Sequence, residues 1–431
     1  LKRVLALPAY RRLLTAYTLN ELAWWVASVS LAFLIYHRTG SAIGAAAFFL
    51  CALFVPGLLS PIVVARLDQY AVRVSLPLLY GLQVLTYLAL AAVASSFSLA
   101  PMLVVVLLDG ILAQSARPLA RAATVAVTSP AGLLREGNAL TNQAFSICYM
   151  AGPALAGVVV AESSASIALL VNSGLFAGIA LTLLSARSLP QAVHDPVPTA
   201  GRVRRALRHA AEHPAVRTLL TLQAVALLFF TISIPVEVVL VQHSLHLGNA
   251  SYGGLLSAWG GGAVVGGILY LRWRRIATRS LIVLSTAALG VGFGLMAGAP
   301  SLVLALVGAA LGGAGNGVEA VAVRTAIQEL VEQRWMAMIM SLNESVFQIV
   351  PGAGIVIGGA IAALTGPRVA LAVAAAGALA VAGGAWLALR DQAFVQSAGS
   401  RPQGQPTSPL PRAAGDPVPR RRHVSDSRAR Q

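Results

Sequence analysis

Pro8-Ala9-Tyr10-Arg11-Arg12-Leu13-Leu14-Thr15 returns as Pro214-Ala215-Val216-Arg217-Thr218-Leu219-Leu220-Thr221. Six of the eight positions are identical at an offset of 206, and each copy opens a long apolar run. The echo continues. Gly44 answers to Gly253, and Leu140–Gly157 answers to Leu342–Gly359, with Phe145 and Gly152 matching Phe347 and Gly354. A period of about 200 residues is too long for a solenoid unit. It suits one half of a duplicated membrane protein, which places a transport pathway at the seam between the halves.

Composition supports that reading. Soluble proteins carry about 25% charged residues, whereas this 431-residue chain has 11%, with 57% hydrophobic residues and a mean hydropathy of +0.76. Its apolar residues come in blocks such as Leu103-Val104-Val105-Val106-Leu107-Leu108, with no polar stripe. A helix apolar on every side belongs in lipid or in a deep core, and about 20 such residues cross the hydrocarbon layer. Twelve blocks are recognisable, six on each side of a polar centre. The expected fold is therefore an all-α membrane protein, with twelve transmembrane helices in two pseudo-symmetric six-helix bundles. The expected divisions are a first bundle at 1–189, a linker at 190–213, a second bundle at 214–390 and a disordered basic tail at 391–431. The linker combines a Pro-rich stretch with a basic amphipathic helix over Arg202–His213, which suits a membrane surface. Lys2 and Arg3 precede a run too long for a signal peptide, so the first block reads as an uncleaved span. Cys51 and Cys148 lie inside apolar blocks without metal-ligand spacing, and are expected to be packing residues.

Charge sets the orientation. The net charge is +16, and 29 of the 31 Lys and Arg residues fall at the termini, in the central linker or in the 2–3, 4–5, 8–9 and 10–11 loops. Only Arg38 and Arg368 fall on the other side. The positive-inside rule then puts both termini in the cytoplasm of a multi-pass protein of the cell membrane. Basic clusters such as Arg204-Arg205 are expected to meet anionic lipid of the bilayer. No aromatic-interleaved basic face points to nucleic acid.

Twelve spans with a cytoplasmic central loop resemble the major facilitator superfamily. Tyr36-His37-Arg38-Thr39-Gly40-Ser41-Ala42 is similar to the first external loop of its macrolide and siderophore exporter branch. Glu136-Gly137-Asn138-Ala139-Leu140 resembles that branch's entry to span 5, and Gln328-Glu329-Leu330-Val331 its 10–11 junction. Ala151-Gly152-Pro153-Ala154-Leu155-Ala156-Gly157 resembles the antiporter signature of exporters, which implies a helix-packing role for Gly152, Pro153 and Gly157. The family's 2–3 loop motif is represented by Asp68 and Arg73, with Gln69 where the motif has an Arg, which implies a weaker latch. The resemblance implies a monomeric secondary active transporter working by alternating access, most simply a proton-coupled exporter of drugs or other amphipathic compounds. A nutrient uptake facilitator, or a non-transporting scaffold or sensor with the same fold, is the alternative.

Charges inside spans cost about 2.5–3.5 kcal/mol at a helix centre, so they mark functional positions. Glu21, Asp109 and Glu319 fall in blocks 1, 4 and 10 and are the expected proton-coupling acids. Asp109 and Arg117 are eight residues apart on one helix, about 12 Å, so any direct partner of Asp109 comes from another span. The expected cavity or gating residues are Trp24, Trp25, Arg117, Arg121, Asn142, Gln143, Asn316, Arg324, Asn343 and Glu344. Aromatic rings suit large amphipathic solutes, while amides serve interhelical hydrogen bonding equally well. Gly313-Ala314-Gly315-Asn316-Gly317 lies within an apolar helix with no preceding strand, so it reads as close helix packing and not as a nucleotide loop. The sequence offers no Ser/His/Asp set, no HExxH, no Walker motif and no metal cluster. No catalytic residue, cofactor or metal is expected, and the chain does not read as an enzyme.

Overall fold

The computed structural model describes residues 1–39, 42–162, 164–185, 189, 201–247, 249–273 and 276–390. The Pro-rich part of the expected linker and the expected basic tail lie outside them. Among the described residues, twelve long helices follow a short N-terminal turn. They are α1 (Pro8–Thr39), α2 (Ala42–Phe49 running through a π turn at Leu50–Phe54 into Val55–Leu67), α3 (Val72–Ser96), α4 (Leu99–Thr128), α5 (Leu134–Glu162) and α6 (Ala165–Leu184). After a surface helix at Arg202–Glu212 come α7 (Pro214–Val239, with a π turn at Leu240–Ser244), α8 (Asn249–Trp273), α9 (Thr278–Gly298), α10 (Leu302–Leu330), α11 (Gln333–Thr365) and α12 (Pro367–Ala388). Eleven of these are long and apolar enough to cross a membrane. The first turns of α5 carry Arg135, Glu136, Asn138, Asn142 and Gln143, ahead of an apolar stretch.

The duplication is visible in the packing. Within the first bundle α1 packs on α5 and α6, α4 on α2 and α3, and α3 on α6. The second bundle repeats every pairing: α7 on α11 and α12, α10 on α8 and α9, and α9 on α12. The matched glycines hold matched places. A Cβ on Gly152 would sit 2.5 Å from Trp25 on α1, and one on Gly354 would run into Thr231 on α7. Trp25 and Thr231 are themselves related by the 206-residue offset. Pro153 and Gly157 lie on the same helix, outside the residues whose surroundings are described.

The helices at the seam overrun their apolar blocks. The apolar run of α4 ends near Ala120 but the helix reaches Thr128, and α5 starts at Leu134 rather than Leu140. Likewise α10 reaches Leu330 and α11 begins at Gln333. The extra turns are polar because their side chains bond to the opposite bundle, as described below, instead of to lipid. All these turns lie on the face that carries the N-terminus, called here the basic face.

Two small-residue contacts set the spacing. On α8, Gly262 and Gly266 lie against the Ala310 and Ala314 carbonyls of α10, and Gly313 and Gly317 of α10 lie against the Trp259 and Ala263 carbonyls of α8. Backbone touches backbone, as small residues permit inside membranes. In the first bundle the equivalent approach occurs at Gly110, where a Cβ would fall 2.6 Å from the Ala52 carbonyl oxygen and from Pro56 Cγ. Pro56 supplies no N–H and its ring crowds the preceding turn, which accounts for the π turn beside it. Overpacking such contacts costs about 1–3 kcal/mol. Gly266→Ala and Gly317→Ala are therefore expected to lower unfolding stability by about that much. Gly174→Ala and Gly178→Ala, where a Cβ meets nothing within 4 Å, should be neutral or slightly stabilising because alanine is the better helix former. Denaturation in mixed micelles by SDS titration reads both; equal losses at all four positions would refute the packing assignment.

Candidate functional site

The basic face of the seam is shut by polar bonds between the bundles. Arg117 and Arg121 are one turn apart on α4. Arg117 reaches Glu21 of α1 (Nη2–Oε1 3.2 Å) and Glu344 of α11 (Nη1–Oε1 3.5 Å). Arg121 holds the other oxygen of Glu344 at 2.7 Å. Glu21 and Glu344 are only 4% and 3% exposed. Two acids and two guanidinium groups thus neutralise each other in a low-dielectric setting, and Glu344 is contributed by the opposite bundle. Arg324 of α10 stands half-buried near the cluster, with its Nε buried and without an acceptor. Both amide atoms of Asn343 are also buried without partners.

Around this cluster the contacts repeat the pseudo-symmetry. On one side of the seam Gln143 of α5 donates to the Val264 carbonyl of α8 at 2.9 Å and lies against Gly267. On the other side Gln348 of α11 lies against Gly57 of α2, and Ser345 donates to the Gly57 carbonyl at 2.5 Å. In each case a glutamine from the fifth helix of one bundle meets a glycine on the second helix of the other. Closer to the basic face, Asn138 donates to Thr325 (2.9 Å) and Gln328 (2.5 Å), and Asn142 to the Gly317 carbonyl (3.5 Å). Arg135 clasps Glu329 through two bonds (2.9 and 3.3 Å) and reaches Thr278 (3.2 Å). Ser60 and Ser341 share a hydroxyl bond at 3.1 Å. Among the described residues, the bonds that join the bundles lie in the halves of the helices nearest the basic face.

Asp109 is in a different setting. Its Oδ1 accepts from Gln83 (3.2 Å) and Thr86 (2.9 Å) of α3, and the Tyr87 hydroxyl faces it. Its partner is thus another span, as expected, but the donors are neutral. Asp109 and Arg117 both line a cavity of about 30 Å³ inside the first bundle, beside Trp24. Glu319 on α10 is half-buried and faces the Thr286 hydroxyl of α9. Each bundle therefore holds an acid on its fourth helix against a threonine of its third. With α4 and α10 aligned at their starts, Glu319 lies seven residues further along than Asp109, which is two turns on the same helix face. Glu237 on α7 is buried with Ser233 as its partner at 3.0 Å.

The remaining expected residues sort as follows. Trp25 meets Trp24 edge-on (4.9 Å) and Tyr149 (5.5 Å), and it packs on Gly152. Asn316 is half-buried beside Gly317. Arg73 is exposed at the start of α3. Asp68 is bound at 2.7 Å by Arg202 of the surface helix, so the linker supplies a basic partner to a loop that lacks an Arg at Gln69. The same helix stacks His209 on Trp335 at 5.0 Å. Burial there, together with the adjacent His213, holds the His209 imidazole below its ordinary value. Sequence reasoning missed Gln83, Thr86, Asn138 and Arg202. The first three are polar residues in or beside apolar runs, the signal that did pick out Asn142 and Gln143.

Removing one member of a buried ion pair strands its partner and costs about 3–5 kcal/mol, whereas an accessible pair contributes at most about 1. Glu344→Ala is therefore expected to destabilise the protein far more than Glu329→Ala in SDS-titration unfolding. Similar small losses for both would show that the cluster does not hold the seam.

The chain matches the family model described as transmembrane secretion effector over residues 4–316, and the Major Facilitator Superfamily model over residues 218–424. No curated protein matches the sequence. Solved structures match its fold. The human organic anion transporter MFSD10 (TETRAN) superposes with a TM-score of 0.72 at 17% identity, over 87% of this chain and 98% of that one. A bacterial homologue of the iron transporter ferroportin, in an outward-facing state, gives 0.71 at 14% identity over 90% and 99%. The transporter FucP in its outward conformation gives 0.69 at 13% identity over 88% and 98%. At these identities the likeness concerns the fold alone. With the duplicated helix pairings, the shut polar seam and the two family matches together, the chain belongs to the major facilitator superfamily of small-molecule transporters.

Proposed function

We propose that this transporter is a proton-coupled exporter of drugs or other amphipathic compounds, in the manner of the macrolide and siderophore exporter branch. In this reading it acts as a monomer in the cell membrane with both termini cytoplasmic. Residues 1–189 and 214–390 are the two rocking bodies, and 190–213 is the strap between them. The observation that carries the reading is the contrast between two kinds of intramembrane acid. Glu21 and Glu344 are committed to Arg117 and Arg121, so they hold the seam. Asp109 and Glu319 have hydroxyl and amide partners only, among the described residues. An acid with neutral partners can gain or lose a proton without stranding a cation, which a coupling group requires. Glu21, one of the three acids expected to couple, is better suited to the latch.

The bonds between bundles on the basic face support an outward-facing resting state, since the positive-inside rule makes that face cytoplasmic. Alternating access then requires the Arg117–Glu344 and Arg121–Glu344 pairs to part as the bundles rock.

Expression in a pump-deficient host identifies which antibiotics, dyes or siderophores lose potency. Such a compound is then followed in proteoliposomes under an imposed pH gradient. The wild type is expected to move it faster with the gradient than without. Asp109→Asn or Glu319→Gln should lower the gradient-driven flux at least ten-fold. Full gradient-driven flux in both variants would overturn the coupling assignment, and no flux in the wild type would overturn export.

A further inference from the structure

Three guanidinium groups face two carboxylates inside the shut seam. Arg117 and Arg121 are matched by Glu21 and Glu344. Arg324 of α10 is the third, and its electrostatic neighbours are Arg121, Glu344, Glu21 and the Tyr17 hydroxyl. Among the described residues Arg324 forms no ion pair and donates no hydrogen bond, and its Nε is buried without an acceptor. Arginine does not lose its proton in proteins, so the cluster carries one positive charge in excess. A charge held out of water needs a counter-ion or a full set of acceptors. The two acids are already engaged: Arg117 and Arg121 take one oxygen each of Glu344, and Arg117 takes Glu21. Arg121 adds like charge beside Arg324, so the missing group is an anion.

Tyr17 supplies a second donor. It lies on α1 one turn before Glu21 and is half-buried beside Arg117, Arg121 and Arg324. Its hydroxyl has no hydrogen-bond partner among the described residues. Tyr17 and Arg324 belong to opposite bundles, so an ion that accepts from both is one more link across the seam. The surroundings limit its size. Next to Arg324 on the same helix, Thr325 and Gln328 are 0% and 4% exposed, and both accept from Asn138 of α5. A seam bonded this closely suits a bare monatomic ion and not an organic anion.

We infer that the shut seam binds one chloride ion between Arg324 and Tyr17, where it accepts a hydrogen bond from each and neutralises the cluster. The site goes beyond the transport reading and does not depend on which solute is carried.

The test is thermal unfolding of the full-length protein in uncharged maltoside micelles, with chloride or bromide replaced stepwise by isethionate at constant ionic strength. An ion that binds only the folded protein raises its apparent stability with concentration. The wild type is expected to melt higher as chloride or bromide is added, up to a plateau, and isethionate, which is too large, should give no such rise. Arg324→Gln should abolish the response. In isethionate alone that variant should melt above the wild type, because the unmatched charge is gone. Arg324→Lys should retain part of the response. Tyr17→Phe should raise the half-saturating chloride concentration about ten-fold, the worth of one hydrogen bond to a charged group. Equal melting of the wild type in chloride and isethionate would overturn the inference without reliance on any variant. A chloride response that survives in Arg324→Gln would also overturn it, since the ion would then act elsewhere.

Discussion

Arg117 is bound by two carboxylates that belong to different bundles, and much of the structure's logic follows from that. A guanidinium taken out of water without compensation is expensive by several kcal/mol. Glu21 comes from α1 of the same bundle and Glu344 from α11 of the other. Arg121 adds a closer ion pair with Glu344. Glu344 is therefore satisfied only while the seam is shut on the basic face. The penalty for stranding it makes closure a two-state matter rather than a graded one. Opening requires that water or a solute reach the cluster as the pairs separate.

The surrounding packing suits such a switch. The second bundle is tied by backbone-to-backbone contact along α8 and α10, through four glycines. Among the described residues the first bundle has one approach of a glycine to another helix's backbone, at Gly110, and a cavity next to Asp109. At the seam, the glutamine-to-glycine contacts at Gln143–Gly267 and Gln348–Gly57 are related by the pseudo-symmetry. They give each bundle an equivalent bearing surface. The halves thus share a scaffold and bearings while differing in where their acids stand.

Much of this was legible in the sequence, for physical reasons. Apolar blocks long enough to cross a bilayer have few structural alternatives, so the helices and their number followed from hydropathy alone. The 206-residue echo correctly related α1 to α7, and the aligned Gly152 and Gly354 proved to fill equivalent contacts. Helix ends at the seam were not legible, because polar turns such as Arg135–Gln143 look like loop until the opposing bundle supplies partners. At a fixed offset of 202 residues Asp109 stands opposite Leu311 and Arg117 opposite Glu319, so in the sequence the charges look unrelated. The structure shows that Asp109 and Glu319 share a threonine-bonded arrangement displaced by two turns, a kinship that a fixed offset hides. Pairing across the seam was likewise out of reach, since Arg117 and Glu344 are 227 residues apart.

The charge cluster is what holds the basic face closed, and the separation of the bundles on that face tests it. Spin labels at Tyr70→Cys in the 2–3 loop and Ala277→Cys in the 8–9 loop, on a background lacking Cys51 and Cys148, report the separation of the two bundles on that face by pulsed electron–electron resonance. With the cluster intact the distance distribution should be dominated by one short population. Glu344→Gln should add a distinctly longer one. An unchanged distribution in that variant, in a protein that is still folded, would contradict the claim that these ion pairs set the closed state.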